Sequence, residues 1–283
     1  MSEHLSATAS ILRGAVDMHV HAGPDAQVPR RLDALRLAKL AKDYELKAVV
    51  IKNKTTGTGA LAKLVTELVP EVATIGSVTL DTCNGGLNAE RVEFEARLGS
   101  RVVWMPTYSA KNDRESHGLT GGISILETDG TLRPEVREVF DIIREYSLVL
   151  CTGHLSREEV MVLTREAIAA KVERVVVSHP LTRVAARLSI EDQKSLVNEG
   201  AFMEHCLAAA MLGHAEVPIE RFVEAIRAVS ARHCVVSSDF GQWQDPPAPE
   251  GLRMGIAWFL RHGLKEDELE TMVKSNPIQL LAL

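Results

Sequence analysis

The chain has 283 residues, of which 46% are hydrophobic and 25% charged, so it can bury a sizeable core and is not a disordered polypeptide. Its 32 Lys and Arg against 38 Asp and Glu leave a net charge of -6, with no basic patch interleaved with aromatics, which argues against a nucleic-acid or anionic-membrane partner. The four cysteines, Cys83, Cys151, Cys206 and Cys234, lie far apart, form no CxxC pair and sit in or beside apolar runs, so they read as reduced, buried thiols of a cytoplasmic protein. The segment 1–13 lacks a positive stretch followed by a continuous apolar one, and no window reaches the about 18 apolar residues of a membrane span.

In chain order, short apolar runs enriched in β-branched residues recur at 15–20, 47–53, 74–80, 101–107, 148–153, 174–178, 201–205 and 234–238, and each predicts a strand. Between them lie stripes at helical spacing, such as Leu32, Leu35, Leu37 and Leu40, or Val136, Val139, Ile142 and Ile143, which need a sheet to cover them. Ser156 with Glu159 predicts a capping box, Ser189 with Asp192 a weaker one, and Pro134 and Pro277 suit first helical turns. Eight βα units at a spacing of about 30 residues, with no linker-like shift of composition, predict an α/β protein: a single (β/α)8 TIM barrel domain over 1–283. The irregular interval 108–133 after the fourth strand is rich in Gly, Ser and Thr. With its Asp129-Gly130 hairpin signal, it predicts a long insertion over the barrel mouth that carries a small hairpin.

Asp17-Met18-His19-Val20-His21 closes the first strand, and side-chain alternation puts His19 and His21 on one side, about 7 Å apart. His154 ends the fifth strand, His179 the sixth, Glu204 and His205 the seventh, and Asp239 the eighth. Scattered core histidines have no reason to share one end of their strands, whereas a metal held by several barrel strands requires it. Imidazole and carboxylate donors with an open position describe a catalytic site for a divalent metal, Zn²⁺ first and also Mn²⁺ or Fe²⁺. Asp239 can also take a proton from water and deliver it to a leaving group. Glu204 is placed to orient a ligand imidazole from behind, while His205, on the opposite strand face, is expected to pack against a helix.

These residues resemble the amidohydrolase superfamily of metal-dependent hydrolases over nearly the whole chain. The match runs from Asp17-Met-His-Val-His21 through Thr152-Gly-His154, Val177-Ser-His179-Pro180 and Ser237-Ser-Asp239 to the ending Ser275-Asn-Pro-Ile-Gln-Leu-Leu281. The opening, Asp17 to Asp25, is most similar to an uncharacterised branch that reads DxHxHxGPD. The resemblance implies that His19, His21 and Asp239 bind metal, with His154 and His179 completing that site or holding a second ion. One or two ions are thus expected, with Asp239 and His179 as the catalytic residues. The chain departs from the dinuclear members in its fourth strand, Val102-Val-Trp-Met-Pro-Thr107, which offers no bridging lysine or glutamate.

Lys52 and Lys54, at the end of the second strand, then have three readings: a carbamylated bridge, a cation for a substrate carboxylate, or a rim ion pair. The second suits a compact ammonium charge best. His117, in the insertion with Asp113 and Arg114, can close over substrate. Of the arginines Arg30, Arg31, Arg183 and Arg187, Arg183 is best placed for an anion. The turn Thr55-Thr-Gly-Thr-Gly59 resembles a weak anion-binding loop, but no Gly-Lys-Ser/Thr follows, which excludes a nucleoside triphosphatase. The expected activity is hydrolysis, with metal-bound hydroxide attacking the carbonyl of an amide, lactone or related C–N or C–O bond in a small anionic substrate. A deaminase, decarboxylase or phosphoesterase using the same site, or a non-catalytic metal-dependent binding protein, are the alternatives, and homo-oligomerisation stays open.

Overall fold

The eight predicted strand segments all form, the third in two pieces. Among the described residues the strands are β1 (Val16–His21), β2 (Ala48–Lys52), β3 (Ala73–Ile75), β4 (Ser77–Thr79), β5 (Val102–Trp104), β6 (Val149–Cys151), β7 (Val175–Ser178), β8 (Phe202–Cys206) and β9 (Cys234–Ser237). The break falls at Gly76, where a Cβ would lie 2.5 Å from the Gly59 Cα, so this close approach of two backbones requires glycine. The computed structural model describes residues 2–211 and 216–283. It divides into two compact units, the first made of Met1–Lys52, Leu61–Ile75 and His205–Leu283, the second of Asn53–Ala60 and Gly76–Glu204. Among the described residues no helix is long and apolar enough to cross a membrane.

In the first unit β1, β2 and β3 pair in parallel, with Val16 opposite Ala48 and His21 opposite Lys52. A register shift between Asp17 and Val20 marks a bulge beneath the two histidines. The end of β9 lies along β1: the Asp239 amide donates to the His19 carbonyl at 2.8 Å, and the His21 amide to the Phe240 carbonyl at 2.8 Å. The helix Ala34–Asp43 begins at Asp33, whose carboxylate accepts the Arg36 amide, and buries Ala34, Leu37, Ala38 and Ala41. The Asn-Pro ending forms the helix Asn276–Leu281 with Pro277 in its first turn. Asn276 donates to the carbonyls of Ala231 and Cys234 at 2.9 and 2.7 Å, fastening this helix to the start of β9.

In the second unit β4, β5, β6, β7 and the residues of β8 up to Glu204 run parallel in that order. The helices Ala89–Arg97, Pro134–Glu145, Arg157–Ala169 and Ile190–Glu199 alternate with them; Pro134–Glu145 buries an apolar stripe of Val136, Val139, Phe140 and Ile143, whereas Ala89–Arg97 buries Val92 and Glu95. Segment 108–133 contains the helix Lys111–Ser116 and a tight turn at Asp129-Gly130, over which Leu126 and Leu132 form an antiparallel bridge. Both predicted capping boxes are present, at Ser156 with Glu159 and at Ser189 with Asp192.

Asp192 also receives a two-point contact from Arg157, at 2.5 and 2.8 Å, and this hydrogen bonding pulls its pKa from the ordinary 3.8 down to about 2. A carboxylate whose folded value is depressed stabilises the fold fully above the unfolded value and loses that contribution as pH falls through the folded one. Asp192→Asn is therefore expected to cost about 1 kcal/mol at neutral pH, a figure reduced by the exposure of Arg157, and to flatten the stability loss between about pH 4 and 2. Urea midpoints of parent and variant across that range check this.

Candidate active site

The first unit gathers His19, His21 and Asp239. The His19 and His21 rings lie 5.5 Å apart, edge to face, and their Nε2 atoms stand 3.0 and 3.1 Å from the same Asp239 oxygen, Oδ1. Both imidazoles are buried, and Asp239 keeps 17% of its side chain exposed. Asp239 holds a left-handed backbone conformation with φ of 56°, a strained state for a residue other than glycine and typical of a site that must aim a side chain off a strand end.

The donor chemistry of this trio fits a divalent metal. His21 Nδ1 lies 2.9 Å from the Lys52 carbonyl, which can only accept, so Nδ1 carries a proton and the neutral ring has its lone pair on Nε2, the nitrogen turned toward Asp239. Lys52 Nζ lies 3.0 Å from His19 Nε2, a contact in which the ammonium donates and that nitrogen accepts. Both Nε2 atoms stand 3.0 to 3.1 Å from one carboxylate oxygen, close enough for one cation to be shared by all three groups. The carbonyl behind His21 is the outer partner that orients metal-binding imidazoles. Cys206 Sγ lies 3.6 Å from His19 Nδ1, on the other side of the ring. Beneath the histidines Asp17 is fully buried. Loss of water raises its pKa to about 7 although Ser238 donates an amide hydrogen bond to it at 3.0 Å.

The second unit gathers His154 and His179, whose rings stand 5.4 Å apart, edge to face. His179, like Asp239, has a left-handed backbone, with φ of 50°. His154 Nδ1 lies 2.5 Å from Asp113 Oδ2, and His117 Nδ1 3.2 Å from Asp113 Oδ1. Burial works against the Asp113 charge, but the hydrogen bond from His154 and the electrostatic attraction of the groups around it hold its carboxyl below the usual carboxylate range. Lys54 is buried with its Nζ 2.9 Å from the centre of the Tyr108 ring, a cation on an aromatic face, and Tyr108 in turn lies 6.2 Å from the His154 ring. Arg183 is exposed and donates to the Ser116 carbonyl at 2.5 Å, and His117 is exposed.

Other expected positions are resolved individually. His205 packs edge to face on Phe222 of the helix Ile219–Val229, as its strand face required. Glu204 is buried and sits opposite Ser178 in the β7 to β8 register. Cys83 departs from expectation: it is exposed, because it lies in the tight 3-10 turn Thr82–Asn84 beyond the end of β4 rather than within a strand. Arg30 forms a two-point ion pair with Asp25 at 2.7 and 2.8 Å and also contacts Gln242, so the last residue of the opening motif anchors a loop. The Thr55 to Gly59 turn does receive an anion, but from the chain itself. The Glu95 carboxylate accepts the Gly59 amide at 2.9 Å and fills the place where a Cβ on Gly57 would lie.

Sequence reasoning passed over Asp113 and Asn112 as site components. Their short helix lies in an irregular stretch with no periodicity, and the remaining signal was a carboxylate four residues from a histidine.

A family model described as "Family of unknown function (DUF6282)" matches residues 14–204. No curated protein matches the chain. Among solved structures, the probable dipeptidase PvdM from Pseudomonas aeruginosa is similar with a TM-score of 0.68 at 12% identity, over 99% of this chain and 97% of that one. An amidohydrolase from the same organism gives 0.65 at 13% identity over 98% of both chains. A probable 2-pyrone-4,6-dicarboxylic acid hydrolase from Acinetobacter baumannii gives 0.59 at 13% identity, over 95% of this chain and all of that one. The fold is thus shared along nearly the whole chain with these solved structures, at identities that speak for the fold alone.

Proposed function

We propose that this chain, which belongs to the DUF6282 family of unknown function, is a metal-dependent hydrolase built as a single (β/α)8 barrel, acting at the carbonyl of a C–N or C–O bond in a small anionic substrate. The observation that carries the reading is the convergence of His19 Nε2 and His21 Nε2 on Asp239 Oδ1, with His21 oriented from behind by the Lys52 carbonyl. His19, His21 and Asp239 would hold the metal, and His154 and His179 offer imidazoles for a further ion. A divalent metal bound there supplies a Lewis acid and makes water a better nucleophile at neutral pH. Asp239 accepts the proton of the attacking water and returns it to the leaving group, a role open to a partly exposed carboxylate at the edge of the donor set.

Lys54 supports an anionic substrate. Its ammonium is buried at 2.9 Å over Tyr108, in the neighbourhood of His154, where little water screens it. The Acinetobacter neighbour is named as a hydrolase of a dicarboxylic acid, which is in keeping with this class. Two measurements test the reading. Elemental mass spectrometry of the purified protein is expected to find one or two divalent ions per chain. A screen of lactones and amides in pairs, free carboxylate against neutral methyl ester, is expected to favour the charged member by about 10- to 100-fold in kcat/KM, with most of that preference gone in Lys54→Met. A protein that takes up no metal overturns the hydrolase. Equal rates within every pair leave neutral lactones or cyclic amides as its substrates.

A further inference from the structure

The helix Lys111–Ser116 holds His154 by two separate contacts. Asn112 Nδ2 donates to the main-chain carbonyl of His154 at 3.1 Å, and to those of Val184 and Ala185 at 3.1 and 3.3 Å in the segment after β7. One residue on, Asp113 takes the side chain of the same histidine: its Oδ2 lies 2.5 Å from His154 Nδ1, and both residues are buried. A carboxylate engaged by a ring nitrogen accepts a proton from it, so Nδ1 is the protonated nitrogen and Nε2 the one that presents a lone pair. Asp113 Oδ1 lies 3.2 Å from His117 Nδ1, whose shorter contact, 2.8 Å, is with the Asp113 main-chain carbonyl.

We infer that Asp113 is the positioning residue of His154. It fixes the ring's orientation and its Nδ1-protonated tautomer, so that Nε2 is permanently offered as a donor, while Asn112 sets the height of the backbone from which the ring projects. The segment 108–133 is on this view a working part of the centre, chosen for one carboxylate and one amide. The inference rests on the hydrolase reading only for what Nε2 then binds, since the tautomer is a property of the metal-free protein.

The test is the imidazole ¹⁵N spectrum of metal-free protein at mildly alkaline pH, with the His154 signals identified by their loss in His154→Gln. The parent is expected to show a protonated Nδ1 and an unprotonated Nε2. Asp113→Asn offers a side-chain amide that can also donate to Nδ1, so it is expected to release the ring into the opposite tautomer or a mixture. Asp113→Glu, which keeps the carboxylate, should restore the parental state in part. Zn²⁺ affinity, titrated on the same samples, is expected to fall by about 10- to 100-fold in Asp113→Asn and by less in Asp113→Glu. A parent His154 protonated on Nε2 overturns the assignment, even if Asp113→Asn proves unable to fold. An Asp113→Asn spectrum identical to the parent's overturns it as well. A tautomer change with unaltered Zn²⁺ affinity upholds Asp113 as the positioning residue and removes His154 from the metal donors of the proposed function.

Discussion

Alanine at His21 is expected to leave a protein that folds and holds almost no metal. The ring contributes one of two imidazole nitrogens that converge on Asp239 Oδ1, and its Nδ1 is already committed to the Lys52 carbonyl. No other nitrogen of the residue remains to substitute. Loss of a partner that merely orients a metal-binding imidazole typically weakens binding about 10- to 100-fold, so loss of the imidazole itself should exceed about 100-fold. The fold should survive, because the first unit's core is carried by apolar neighbours such as Val16, Met18, Val20 and Ile51. His19→Ala should behave alike. Metal content by elemental mass spectrometry and far-ultraviolet circular dichroism, each compared with the parent, check both variants. Full metal retention in the two would remove the trio from consideration.

Asp239→Asn has the second large effect, and its backbone makes it a clean experiment. With φ of 56° the position disfavours most side chains, but asparagine tolerates the left-handed region well, so the substitution exchanges chemistry with little strain. The amide oxygen still coordinates weakly, whereas the capacity to take a proton is gone. Metal occupancy should fall modestly and kcat, once metal is restored, by about 10² or more. Unchanged turnover in the reloaded variant would place the base elsewhere, with buried Glu204 next to be replaced.

The fold was legible where the chain repeats itself. Each β-branched run became a strand because bulky, branched side chains suit a buried parallel strand, with charged residues confined to a few positions such as Asp17, Lys52 and Glu204. The break at Gly76 was not, since it arises from another glycine seventeen positions earlier in the chain, at Gly59. The proposed site residues divide along the same line. His19, His21, His154, His179 and Asp239 were marked in the sequence by standing at predicted strand ends, a relation that strand prediction alone exposes. Asp113 could not be singled out, because nothing in an aperiodic stretch tells which of several carboxylates will meet a histidine forty-one residues on. Glu95 misled in the opposite sense. The Thr55 to Gly59 turn carries the marks of an anion site, and the anion is a side chain 36 positions from the amide it accepts.

The make-up of the first unit has a bearing on how the protein is born. His19 and His21 precede the main stretch of the second unit in the chain, and Asp239 follows it, so the three come together only after the whole second unit has been synthesised. The second unit, drawn from nearly one continuous stretch, can begin to collapse during translation, whereas β1, paired early with β2, gains its contact with the end of β9 only when that last strand has been made. A nascent chain stalled before residue 234 would thus hold two of the three residues proposed to bind metal, and the trio is complete only once the end of β9 lies beside β1, where Asn276 fastens the helix Asn276–Leu281 to the carbonyls of Ala231 and Cys234.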